Sequence, residues 1–182
     1  FSTRTVSERH YSLVKIRTEE GTEGLGFCYC GIGAGWVVTT SVRDLLARHV
    51  VGKDSHNTEA IWDAMYRDAI LMGRRGAVIR AMSAIDIALW DANAKEAELP
   101  LYRYLGSYYQ DIVPAYASGG YYLSGKGPDA LARECSDYVD LGFNAVKIKV
   151  GRGARWMPTD KGLQRDAMVV HTCLIYTSPS PR

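Results

Sequence analysis

No run of apolar residues in this chain of 182 approaches the ~20 needed to cross a bilayer as a helix, and the opening residues carry no leader pattern. A membrane is therefore not an expected partner, and a cytoplasmic setting is the expectation. Charge of one sign is equally scarce. The 22 Lys and Arg against 20 Asp and Glu leave a net +2, with no long basic run. Nucleic acid needs a basic footprint that is missing here. Cysteine is sparse, with four residues at 28, 30, 135 and 173. Their spacing fits neither a zinc site nor a secreted disulfide framework, so reduced thiols are expected. Cys28 and Cys30 share a strand face, and neither a disulfide nor a ligand role is assigned to them. No internal repeat of solenoid period is visible.

What is present is the composition of a folded globular protein, 47% hydrophobic and 23% charged, enough for one or two domains with a core. Residues 11–21, "YSLVKIRTEEG", alternate. Leu13, Lys15 and Arg17 fall on one face and Val14 and Ile16 on the other, and "TEGLGFCYCG" returns as a second strand of a hairpin. Gly24 and Gly26 inside that strand predict a bulge or a close backbone approach. Helical spacing follows. Val42, Leu45, Leu46 and Val50 keep a three-to-four rhythm that Gly52 stops. "TEAIWDAMYRDAILMG" predicts a second helix, with Asn57 as its N-cap and Gly73 at its end. The most strongly patterned helix runs through Ala77, Val78, Ala81, Ala84, Ile85, Ala88, Leu89 and Ala92, whose small residues let a neighbouring backbone come close. Pro100 cannot extend it.

After Gly106 the grammar changes to strand, helix, strand, helix. "DIVPAYASGG" and "NAVKIKV" read as strands. "PDALARECSDYVDLG" reads as a helix with Leu131, Cys135, Tyr138 and Val139 inward, and "LQRDAMVVHT" starts another. That order marks a parallel sheet with crossover helices.

"FNAVKIKVG", residues 143–151, places Lys147 and Lys149 on one face of its strand. Val146, Ile148 and Val150 face the other way. The pair lies at the strand's C-terminal end, where active sites form in parallel β/α folds. Two like charges at ~6.6 Å, in an effective dielectric of ~20, repel by roughly 2.5 kcal/mol. That repulsion favours loss of a proton from one amine, the form a general base requires. Lysines at a strand rim also snorkel to solvent, and both readings fit K-x-K alone.

"AMSAIDIALWDANAKEAELPLYRYLG", residues 81–106, resembles the signature segment of the mandelate racemase/muconate-lactonizing enzyme family of the enolase superfamily. Ala81, Asp86, Ala88, Asp91, Lys95, Pro100, Leu101, Leu105 and Gly106 carry the match. The hairpin around "EEGTEGLG" is similar to that family's capping domain, and "GFNAVKIKVG" to its second barrel strand. The resemblance implies an α+β capping domain followed by the first β/α units of a TIM-type (β/α) barrel, incomplete. Residues 1–110 are then the capping domain without its first strand, and residues 111–172 the start of the barrel. Residues 173–182, ending "CLIYTSPSPR", read as a tail foreign to the fold. The sequence is expected to be a piece of a longer protein, truncated at both ends.

The family implies removal of the proton α to a carboxylate, with Mg2+ stabilising the enediolate. Carried over by position, Lys149 is the candidate base, and Lys147 the neighbour that contacts the substrate carboxylate. Ser118 in "AYASGG" aligns with a substrate-contacting serine of some members, and Tyr29, Tyr121 and Tyr122 are candidates to line the pocket. Strand-end serines and packed tyrosines are also ordinary structural features. The family's metal ligands sit on later barrel strands, so no residue here is assigned to Mg2+. The expected function is dehydration of a sugar acid, a hydroxy-carboxylate, by a full-length homo-oligomer, with the piece itself inactive. Racemisation or cycloisomerisation is the alternative within the family. A non-catalytic binding or oligomerisation module is the alternative outside it.

Overall fold

The structure, a computed structural model, describes residues 6–106, 112–121, 123–151 and 157–177. They divide into two compact units, one ending at residue 106 and one starting at 112.

In the first unit, β1 (His10–Arg17) and β2 (Glu23–Gly31) form an antiparallel hairpin in which Leu13 faces Phe27 and Val14 faces Gly26. The alternation holds: Val14 is buried while Leu13 is 69% exposed. The α-helical segments that follow are α1 (Gly35–Thr40), α2 (Thr58–Gly73), α3 (Ala77–Glu96) and the short α4 (Leu101–Tyr104). On α2, Ile61, Met65 and Ala69 recur every fourth residue as a buried stripe. On α3, Ala81, Ala84, Ala88 and Ala92 are fully buried. They lie under β2, where Gly24 and Gly26 answer the question their positions raised. A Cβ on Gly24 would run into the Ala88 carbonyl, and one on Gly26 into the Ala84 carbonyl. Both glycines are therefore close approaches, not bulges. Each removes the side chain that would hold helix and strand apart.

Two local expectations need correction. The helix expected from Val42 to Val50 is not one regular helix. After α1 the chain widens into a π-helical turn over Ser41–Leu46 and tightens into a 3-10 turn over Ala47–His49. The Ser41 hydroxyl donates to the Val37 carbonyl at 2.8 Å, competing for an acceptor that the helix itself uses. Asn57 occupies the N-cap position of α2, but its side chain caps nothing. Its amide nitrogen instead donates to Asp54 Oδ2 at 3.4 Å.

The second unit contains β3 (Ala117–Ser118) and β4 (Val146–Lys147), paired in parallel, with α5 (Pro128–Asp140) between them and α6 (Thr159–Thr177) after them. Leu131, Cys135 and Cys173 make its core, joined by Val146, Ile148 and Val169. Both strands are shorter than the sequence predicts. The ladder closes at Ala117 N–H to Ala145 O, 3.0 Å, and Gly119 N–H to Lys147 O, 2.9 Å. Gly120, at φ +68, then turns the chain away, which leaves Lys149 beyond the paired residues. The inward stripe of α5 also ends early, since Val139 is 43% exposed. Cys173 is buried and α6 continues through it, so the helical pattern does not stop at residue 172. All four cysteines are free thiols. Among the described residues no helix is long and apolar enough to cross a membrane.

Candidate active site

Alternation along β4 does the first part of the work. Val146 and Ile148 pack into the cluster under α5 and α6. Lys147 leaves on the opposite face and is exposed. The parallel register sets Ser118 beside Lys147 as its cross-strand partner, and same-register side chains share a face. Lys149 follows past the end of the ladder and is half-buried.

Each ammonium has an aromatic seat. Lys147 Nζ lies 5.8 Å from the ring centre of Tyr116, and Lys149 Nζ 5.3 Å from that of Tyr121. Rings at that range attract the cation through their quadrupole. A cavity of about 30 Å³ adjoins Lys149, lined also by Gly120, Tyr121, Lys126, Arg165 and Asp166. That is space for one water molecule. Asp166 Oδ2 accepts the Gly151 N–H at 2.7 Å, tying α6 to the backbone just past the lysines.

Behind this face is a network that the sequence reading did not identify. Glu134 on α5 accepts from Lys126 Nζ, from the Gly120 N–H at 3.2 Å and from the Tyr138 hydroxyl at 2.9 Å. Burial pushes its carboxyl upward in pKa, but Lys126, the Gly120 amide and Tyr138 together hold it below the usual range. The available signal was a glycine pair directly after a strand, with a carboxylate on the following helix.

The structure thus brings Ser118, Lys147 and Lys149 to one place. Tyr29 belongs to the hairpin of the first unit, where its ring packs on Tyr11 at 5.4 Å. Its buried hydroxyl finds no hydrogen-bond partner among the described residues. Tyr122 lies outside the described residues. The first unit holds a larger cleft of about 640 Å³ between β1 and the segment around Val50–His56. Val14, Ile16, Ile85 and Leu89 line it together with Arg17, Lys53, Asp54, His56 and Glu96, and none of the sequence-predicted site residues does. No group of three His, Cys, Asp or Glu among the described residues is placed to hold a metal ion. Lys147 and Lys149 at the strand ends are not donors for a divalent cation. The described residues therefore do not fit Mg2+.

Residues 1–106 match the N-terminal domain of the mandelate racemase/muconate lactonizing enzyme family. Arabinonate dehydratase of Saccharolobus solfataricus is 35% identical over 137 residues, 75% of this chain and 36% of its own. The 3,6-anhydro-α-L-galactonate cycloisomerase of Streptomyces coelicolor is 37% identical over 144 residues, 78% of this chain and 39% of its own. Among solved structures, a racemase from Streptomyces coelicolor A3(2) with bound magnesium superposes with a TM-score of 0.80 at 31% identity. That overlap takes in 93% of this chain and 45% of the racemase. The chain spans little more than a third of the length of the curated relatives it matches.

Proposed function

The chain belongs to the mandelate racemase/muconate lactonizing enzyme family, and on that premise we propose that it is the N-terminal part of a sugar-acid dehydratase. One observation carries the reading. Ser118 and Lys147 are registered on one face at the C-terminal end of a parallel pair, with half-buried Lys149 directly beyond them.

In the proposed reaction the Lys149 amine takes the proton α to the substrate carboxylate. The C–H electron pair moves into the carboxylate as an enediolate. The Lys147 ammonium faces that carboxylate and opposes its growing negative charge. Ser118, beside Lys147, supplies a hydroxyl for a substrate oxygen. Collapse of the enediolate expels the β-hydroxyl, which leaves as water once a general acid has given it a proton. None of the residues assigned here serves as that acid. Return of a proton to the opposite face of the same enediolate would instead racemise the substrate. The cycloisomerase and racemase among the relatives favour that second reading, which shares the first step.

The relative with bound magnesium supports a Mg2+-dependent enzyme. The donors for that ion are not among the described residues, and every step above is derived from the lysine face alone. A cytoplasmic homo-oligomer completes the proposal, and the 182-residue piece is proposed to be inactive by itself.

The test is Lys149→Ala in the full-length enzyme, followed by NMR of α-proton exchange with D2O in a panel of sugar acids. A general base contributes about 10²- to 10⁴-fold, so exchange is expected to fall by that amount while the fold persists. Exchange at the wild-type rate in the variant overturns the assignment. A non-catalytic module would show no exchange in either protein.

A further inference from the structure

We propose that Glu134 is a positioning residue for the lysine face, holding Gly119–Gly120 so that Ser118 and Tyr121 stay set against Lys147 and Lys149. The role rests on the reading of that face as the active site.

The glycine pair is gripped from two sides. On the α5 side, Glu134 accepts the Gly120 N–H at 3.2 Å. A Cβ on Gly119 would collide with the Tyr138 hydroxyl and with Glu134 Oε1. On the β4 side, the Gly119 N–H donates to the Lys147 carbonyl at 2.9 Å. A Cβ on Gly120 would lie 2.9 Å from Ile148 Cβ. Ile148 is the residue between the two lysines. Gly120 also sits at φ +68, the left-handed region that glycine adopts without a Cβ penalty. The chain thus passes from Ser118 to Tyr121 through a slot whose walls are Glu134 with Tyr138 and the lysine segment itself.

Glu134 is itself held. Lys126 pairs with one of its carboxylate oxygens, and the Tyr138 hydroxyl donates to the other at 2.9 Å. Lys126 is 14% exposed and Glu134 26%, so neither is a loose surface charge. Fixing both oxygens removes rotamer freedom from the acceptor. The Gly120 amide therefore meets a rigid anchor. The consequence at the site is geometric. Tyr121 follows Gly120 directly, and its ring is the seat of the Lys149 ammonium at 5.3 Å. Movement of Gly120 moves that seat, opening the side of Lys149 that faces the one-water cavity.

An ordinary helix-surface ion pair would affect stability and leave Lys149 as it was. The test separates the two on the 182-residue chain, without substrate. Lysines are acylated with limiting acetic anhydride and quantified residue by residue by mass spectrometry, with exposed Lys53 as internal reference. In parallel, hydrogen exchange of the Gly120 amide is followed by NMR. Glu134→Ala is expected to raise Lys149 acylation several-fold relative to Lys53. It should also speed Gly120 exchange by about tenfold, the loss of one charge-assisted hydrogen bond. Glu134→Gln keeps an acceptor oxygen and is expected to restore most of both. Should the alanine variant not fold, Tyr138→Phe deletes one hydroxyl and is expected to give the same signs at smaller size. Unchanged Lys149 acylation in these variants overturns the positioning role, even where Gly120 exchange rises. Neither readout needs turnover. Their failure therefore leaves the proposed reaction untouched, and wild-type exchange in Lys149→Ala overturns the reaction alone.

Discussion

Gly26 and Asp91 show how single side chains, one by absence and one by charge, hold α3 against β2. Gly26 leaves room for the Ala84 carbonyl, and no rotamer adjustment can make space for a Cβ against main chain. Gly26→Ala is expected to destabilise the first unit by about 1–3 kcal/mol, the usual cost of overpacking. Urea unfolding followed by tryptophan fluorescence checks it, and an unchanged midpoint would refute the close approach. Asp91 does the electrostatic part. Its Oδ2 accepts the Leu25 N–H at 2.8 Å and the Lys95 ammonium at 2.6 Å, and Lys95 also donates to the Glu23 carbonyl at 2.9 Å. Helix side chains thus satisfy main-chain groups of β2 that would otherwise invite another strand. Burial pushes the Asp91 carboxyl up, but Lys95 and the Leu25 amide outweigh it and the net shift is downward. A carboxyl depressed on folding adds stability above its unfolded pKa of about 4. That stability is lost as pH falls through the lower folded value. Asp91→Asn should therefore lower the melting temperature at neutral pH and flatten its decline below about pH 4. Melting curves from pH 7 to pH 2 read both, and parallel acid limbs for the two proteins would contradict the assignment.

Elements were legible wherever a local period coincided with the packing that followed. The hairpin is written in the alternation of Leu13 to Arg17, and α3 in its alanine stripe. The two glycines of β2 were compatible with either a bulge or a close approach, and only the packing of α3 decides for the latter. Legibility failed where a non-local or side-chain term decided. The apolar rhythm from Val42 to Val50 predicts a regular helix and is silent on the Ser41 hydroxyl that widens it. The lengths of β3 and β4 depend on their ladder and on the turn at Gly120, which no strand propensity records. The candidate site divides the same way. Lys147 could be placed on a face because a strand has a period of two. The route from Glu134 to Gly120 spans 14 residues and exists only once α5 lies beside the loop.

For the whole molecule, the donor set of the folded chain sets what a metal ion can do to it. A ligand that binds only the folded state stabilises it by about 2.7 kcal/mol at one hundred times its Kd. In a protein of this size that moves a melting temperature by roughly 5–10 °C. Such a gain requires a donor set present in the folded chain. Among the described residues no three acidic, histidine or cysteine side chains converge, and the strand ends present Lys147 and Lys149. Titrating Mg2+ into the 182-residue chain is therefore expected to give no saturable thermal shift, with an equal ionic strength of NaCl as the control. A full-length relative that holds the ion should shift under the same protocol. A saturable shift in the 182-residue chain would show that it assembles a cation site from its own residues. The division of labour proposed here, with base and carboxylate contact in this part and metal donors elsewhere, would then be wrong.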